Sequence, residues 1–141
     1  MNGIKTILRT AKSNLWPYPK TIGVLKEAGV LAFATFLHDS GFNSVYQDNN
    51  SIWQEWAAFK TSIKIATKFE AEGIRAALNK HANNKTNYLQ FLTEIAANGV
   101  ACYIVNILDG TIIFLSQDPS FGYKTTVPFN YHNYHELSSV H

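Results

Sequence analysis

The side chains best suited to chemistry lie together in the second half of the chain. His81 is followed, five to seven positions later, by Thr86, Asn87 and Tyr88. At a helix end a histidine can bind free carbonyls and complement the helix dipole, which is a purely structural use. Alternatively, His81 and Tyr88 line a pocket between helices and a sheet, with a polar group at a strand end. The candidate ligand or partner site in that interpretation consists of His81, Thr86, Asn87, Tyr88, Tyr103 and Asn106.

The C-terminal segment carries a second set of possible ligands. His132 and His135 have the H-x-x-H spacing of metal ligands, with Glu136 and His141 close by. Ordered metal ligands normally lie on defined elements with supporting hydrogen bonds, whereas this segment has neither a helical nor a strand period. We expect a loosely ordered tail over residues 130–141, and neither a metal nor a cofactor.

The chain contains no recognised catalytic motif. The glycine spacings of phosphate loops, nucleotide-binding turns and nucleophile elbows do not occur. Turn chemistry is a sufficient explanation for Asp39 and Asp109. The single cysteine, Cys102, lies in an apolar run and is expected to be an inert thiol. The sequence disfavours an enzymatic function but does not decide whether the protein is an enzyme.

Composition narrows the class of protein. Hydrophobic residues make up 46% of the 141 positions and charged residues 16%, as in a single folded domain rather than a disordered chain. The formal net charge is only +2, so nucleic-acid binding lacks its usual electrostatic basis. The N-terminal residues lack the apolar stretch of a secretory signal, and the longest apolar run is too short for a membrane helix. We expect a cytoplasmic protein that does not contact a membrane.

An internal repeat organises the chain. Residues 1–48, aligned without gaps to residues 71–118, are identical at 10 of 48 positions, where unrelated sequences would match at about 3. The identical pairs are Gly3/Gly73, Ile4/Ile74, Leu8/Leu78, Asn14/Asn84, Tyr18/Tyr88, Gly29/Gly99, Val30/Val100, Asp39/Asp109, Gln47/Gln117 and Asp48/Asp118. We predict one domain of two related units, about 1–59 and 71–129, with pseudo-two-fold symmetry.

Each unit is predicted to contain two helices, a β-hairpin and a third strand. In the first unit, helices over Gly3–Ser13 and Tyr18–Ala28 are separated by prolines, and Gly29 supplies the left-handed backbone after the second helix. In the second unit, Thr86 is the predicted N-cap of a helix that ends at Gly99. Asp109-Gly110 predicts a hairpin turn of two residues. The predicted strands of the first unit are 30–37, 42–47 and 53–59, and the third strand of the second unit is 123–129.

The first strand of each unit, VLAFATFL and VACYIVNIL, is almost continuously apolar. Such strands are typically covered on both faces of a sheet. The sequence therefore predicts an α+β fold with an antiparallel or mixed sheet and helices packed on it. Helices would cover one face and leave the other to the tail, to the opposite repeat or to a second subunit.

Several residues between Ala77 and Val105 follow a pattern that resembles a known family. Those positions are Ala77-Leu78, His81, Thr86-Asn87-Tyr88, Phe91, Ala96-Ala97, Gly99-Val100 and Tyr103. The pattern resembles a small uncharacterised bacterial and prophage family often labelled phage envelope protein-like. This chain departs from it at Asn87, Leu92 and Tyr103, where the family usually has Asp, Cys and Trp. The resemblance implies an α+β fold and no known activity.

The sequence is compatible with three functions. The first is a non-catalytic binding or protein-interaction module, expected to form a homodimer, because the strands are apolar on both sides and no catalytic set is evident. The second is a small ligand-binding protein or enzyme with a cleft near His81 and Tyr88. The third is a phage-type regulator acting on nucleic acid, which the low net charge disfavours.

Overall fold

The computed structural model describes residues 18–83, 85–118 and 121–126. These residues form three helices and six strands, in the order α1 (Tyr18–Glu27), β1 (Ala32–Leu37), β2 (Gly41–Gln47), β3 (Ile52–Ala58), α2 (Ala71–Ala82), α3 (Tyr88–Ala97), β4 (Cys102–Asn106), β5 (Thr111–Leu115) and β6 (Gly122–Thr126). The α+β class is therefore as predicted. The predicted helix over Gly3–Ser13 and the tail over 130–141 lie outside the described residues.

All six strands belong to one antiparallel sheet, with the order β3-β2-β1-β4-β5-β6. The two hairpins lie side by side, and the predicted third strands form the two edges. At the centre, β1 pairs with β4, and Ala34 is opposite Ile104. The segment between β3 and α2 contains neither a helix nor a strand and links the two halves of the sheet.

Alternation along the strands gives the sheet two different faces. We call the face that carries Phe33 and Tyr103 the inner face and the opposite one the outer face. The inner-face side chains and the apolar stripes of the helices form one buried core, because period 2 in the strands and period 3.6 in the helices direct both sets to the same layer. The largest fully buried side chains are Tyr103, Phe91, Phe114, Leu25, Ile74, Leu78, Leu92, Ile95, Ile112, Val30, Val100 and Val105.

The described residues leave the outer face partly exposed. Among the described residues, the hydrophobic core includes no outer-face side chain of β1 or β4. Ala34 and Ile104 are partly exposed, and Phe36 is 38% exposed. The core of the described residues is built on the inner face alone. Cover of the outer face by the tail or by a second subunit therefore stays a prediction.

The second hairpin turn differs from the predicted two-residue turn. The last paired residues are Asn106 and Thr111, so four residues form the loop. The Asn106 side-chain oxygen accepts hydrogen bonds from the backbone N–H groups of Leu108 and Asp109 at 3.1 and 3.4 Å. Gly110, with φ of 71°, closes the loop by donating to the Asn106 carbonyl at 2.9 Å. Asn106 favours the longer loop because its side chain satisfies these amides locally.

No helix among the described residues is both long and apolar enough to cross a membrane.

Candidate functional site

His81 lies in the last turn of α2 and is 6% exposed. Its ring stacks on Phe91 of α3, with centroids 4.6 Å apart and planes inclined by 12°. The Nδ1 atom is 3.0 Å from the backbone carbonyl oxygen of Thr86. Because a carbonyl only accepts, Nδ1 carries the proton in this hydrogen bond. Burial lowers the pKa of His81, and the Thr86 carbonyl and the charge of Glu94 oppose that effect.

Asn87, and not Thr86, is the N-cap of α3. The Asn87 side-chain oxygen accepts from the backbone N–H of Gln90 at 2.8 Å, and the Gln90 side chain accepts from the backbone N–H of Asn87 at 2.9 Å. This reciprocal pair is a capping box. The Thr86 hydroxyl instead lies 3.3 Å from Nδ1 of His81. The sequence prediction was wrong by one residue, since both residue types are good caps and local sequence does not choose between them.

Tyr88 and Tyr103 connect the first turn of α3 to the central strand β4. Their phenol oxygens are hydrogen-bonded to each other. Burial raises the pKa of Tyr88 well above 10.0, reinforced by the proximity of Tyr103 and Tyr46, while a hydrogen bond with Thr35 opposes the shift. The Tyr88 phenol is therefore neutral near pH 7 and serves as a hydrogen-bonding group.

The hydroxyl groups continue across the inner face into the first hairpin. Thr35 and Ser44, on adjacent strands, are hydrogen-bonded at 2.8 Å and both are buried. Tyr46 is hydrogen-bonded to Ser44, and burial raises the pKa of Tyr46 to about 12. The five hydroxyls form a buried chain in the order Tyr103, Tyr88, Thr35, Ser44 and Tyr46. We call this set the hydroxyl chain.

Sequence reasoning missed Thr35, Ser44 and Tyr46. A signal was present, because Thr35 interrupts the apolar run of β1 at an inward position and Ser44 does the same in β2. A buried hydroxyl at such a position needs a partner, since an unsatisfied one costs about 1–3 kcal/mol. Which residue supplies it depends on strand register, which the sequence alone did not provide.

The predicted site residues divide into two groups. His81, Thr86, Tyr88 and Tyr103 lie together between α2, α3 and the inner face. Asn87 caps α3 at the surface, and Asn106 is the exposed last residue of β4, on the outer face next to the hairpin loop. The buried polar groups of the first set bind each other, an arrangement that orients α2 and α3 on the sheet. Ligand binding by this set stays a prediction.

Other possible chemistry has little support in the described residues. Among them, no group of three or more His, Cys, Asp or Glu side chains could hold a metal ion. The tail residues His132, His135, Glu136 and His141 lie outside the described part of the chain. Burial raises the pKa of Cys102, which lowers the fraction of reactive thiolate at neutral pH.

The outer face of the described sheet carries partly exposed apolar side chains. Its centre is a row of paired side chains, Val45, Ala34, Ile104 and Ile113, one from each of four adjacent strands. Phe36, Cys102 and Leu115 form a second row beside it. Gln47, Thr111, Lys124 and Thr126 contribute polar groups at the margin. An apolar centre with a polar rim is typical of protein interfaces.

These features define a small α+β protein. Its internal polar groups are hydrogen-bonded to each other, and the centre of its outer sheet face is apolar. The chain belongs to the family described as Protein of unknown function (DUF1398), whose model matches residues 5–123. No curated protein matches the chain. The predicted relation to an uncharacterised family is thereby confirmed, and the phage envelope-like label for it stays a prediction.

Proposed function

We propose that this protein is a non-catalytic interaction module that forms a homodimer through the outer face of its sheet. The observation that carries the proposal is the apolar row Val45, Ala34, Ile104 and Ile113 on a face outside the described core. Contiguous apolar surface with a polar rim commonly marks a protein-protein contact. Burying it against a second copy removes about 25 cal/mol of unfavourable hydration for each square ångström of apolar area.

The internal duplication is part of the same proposal. The strand order is symmetric about the β1–β4 pair, and Ala34 and Ile104, which face each other there, are separated by 70 positions. Gly29 and Gly99, also 70 positions apart, have φ of 96° and 93° at the ends of α1 and α3. A surface centred on this pair would be nearly two-fold symmetric, which suits a self-complementary contact.

The two hairpins differ in the register of their strand pairing. In the first hairpin Phe33 pairs with Tyr46, whereas in the second the corresponding Tyr103 pairs with Phe114. Since Phe114 corresponds to Ser44, the strand pairing of the second hairpin is shifted by two residues relative to the repeat alignment. The proposed duplication has therefore diverged in its turns, while the central strand pair keeps the repeat spacing.

The test is the molar mass in solution. Light scattering at micromolar concentration should give twice the chain mass for the wild type and one chain mass for Ile104→Glu. Leu108→Glu is the matched control, because Leu108 is 64% exposed but lies in the β4–β5 loop. The proposal fails if the wild type is monomeric, or if both variants keep the wild-type mass.

A further inference from the structure

The two edges of the sheet are protected to different degrees. Edge strand β6 has five residues. Two of them, Gly122 and Lys124, direct their backbone N–H and C=O groups away from the sheet. Edge strand β3 has seven residues, IWQEWAA, without lysine, proline or glycine. Proteins commonly protect exposed edges with short strands, lysine or proline, because an open edge pairs with other chains. Edge β3 lacks all three devices.

The backbone orientation of β3 follows from its terminal hydrogen bonds. The Ser51 carbonyl accepts from Asp48 at 3.1 Å, and the Phe59 N–H donates to the Ser40 carbonyl at 2.9 Å, so odd-numbered residues face β2. Even-numbered residues consequently direct their N–H and C=O groups away from the sheet. These residues are Ile52, Gln54, Trp56 and Ala58, and no described strand pairs with that side.

Glu55 supplies the only charge on this edge. It lies on the inner face opposite Ser44, is partly buried, and makes no ion pair within the described part of the chain. Since its backbone groups face β2, a residue opposite it on an added strand would form a non-hydrogen-bonded pair. Such pairs have Cα atoms about 4.5 Å apart, which brings the side chains close.

We propose that the β3 edge binds an extended segment of a partner protein by strand addition, with a Lys or Arg of that segment opposite Glu55. The flanking residues of the segment lie on the outer face beside Gln54 and Trp56, where apolar side chains can contact the indole of Trp56, which is 56% exposed. Backbone hydrogen bonds supply affinity in this mode of recognition and alternate side chains supply specificity.

A second copy of the chain is a poorer occupant of the edge. Symmetric antiparallel pairing of β3 with itself has its greatest overlap when Ile52 is opposite Ala58, which places Glu55 opposite Glu55 of the second copy. Like charges directly opposite each other destabilise a strand pair. Strand addition at β3 therefore uses a different surface and a different partner from the proposed homodimer.

The experiment uses the full chain and two labelled synthetic peptides that alternate Val and Thr, with Lys or Glu at the centre. Fluorescence anisotropy should show binding of the Lys peptide roughly tenfold tighter than the Glu peptide, since favourable and unfavourable charge pairs differ by about 1–2 kcal/mol. Glu55→Lys should reverse the preference. Absence of binding by either peptide at millimolar concentration, or an unchanged preference in Glu55→Lys, overturns the proposal.

A backbone variant tests the strand geometry separately. Gln54→Pro removes one outward N–H and leaves the hydrogen bonds to β2 in place, because edge strands tolerate proline at such positions. It should weaken binding of the Lys peptide roughly tenfold relative to Gln54→Thr, which keeps the N–H. Equal binding by the two variants contradicts strand addition. If circular dichroism shows that Gln54→Pro is unfolded, the reversal in Glu55→Lys decides the question.

Discussion

The phenol of Tyr88, at the start of α3, is hydrogen-bonded to the phenol of Tyr103, in the middle of β4. The bond joins a helix end to the central strand pair inside the core. It is also the link through which the hydroxyl chain continues from β4 to Thr35 on β1. The two rings therefore fix the height and rotation of α3 above the sheet.

Removing either phenol oxygen should destabilise the fold. Tyr88→Phe and Tyr103→Phe each leave a buried hydroxyl without one partner, at a cost of about 1–3 kcal/mol. The double variant should lose less than the sum of the single losses, because the second substitution removes the orphaned group. Urea unfolding of all four proteins measures this coupling. Additive losses would show that the two phenols do not depend on each other.

Acid should weaken the fold through His81. Burial holds its folded pKa below the usual 6.5, so the unfolded chain binds the proton more readily. The contribution of the neutral ring is complete above pH 6.5 and is lost as the pH falls towards the folded pKa. Unfolding free energies between pH 8 and pH 5 should decline more in the wild type than in His81→Phe.

The exposed His38 provides the control for that experiment. It lies at the surface, bound to the Asn43 side chain at 2.9 Å. His38→Asn should therefore retain the wild-type decline with acid. If the decline persists in His81→Phe and disappears in His38→Asn, His38 causes it and the prediction for His81 is wrong.

The cap of α3 can be assigned by two neighbouring substitutions. Asn87→Ala removes the acceptor for the Gln90 N–H and should cost about 1 kcal/mol. Thr86→Val keeps the shape of the side chain and removes only a contact with His81 at 3.3 Å, so its cost should be smaller. Thermal unfolding of both variants gives the comparison. A larger loss for Thr86→Val would restore Thr86 as the cap.

Two equivalent glycines should respond differently to alanine. Gly29 and Gly99 share a left-handed backbone, with φ of +96° and +93°, and alanine there costs about 1–2 kcal/mol. Among the described residues, an added Cβ at Gly29 has no neighbour within 4 Å, whereas at Gly99 it would lie 2.4 Å from the Lys68 carbonyl oxygen. Gly99→Ala should therefore be the more destabilising variant in urea unfolding. Equal losses would mean that the linker before α2 moves aside freely.

Local patterns predicted much of the fold. The stripe Phe91, Leu92, Ile95 and Ala96 on α3 is buried as expected, and both glycine helix ends lie where the sequence placed them. The predictions of the α3 N-cap and of the second hairpin turn failed, because the local sequence allows two alternatives at each place. Asn87 and Thr86 are both good caps, and Asn106 extended a turn that Asp109-Gly110 alone would have closed in two residues.

The sequence by itself determined the approximate positions of the described helices and strands, because these depend on residues within a few positions of each other. The tertiary structure decided which distant side chains meet. Tyr88 reaches Tyr103 and Thr35 only because β4 pairs with β1 in one register and α3 packs on the inner face. The same pairing separates Asn106 from the other candidate residues and brings Val45, Ala34, Ile104 and Ile113 into one apolar row on the outer face.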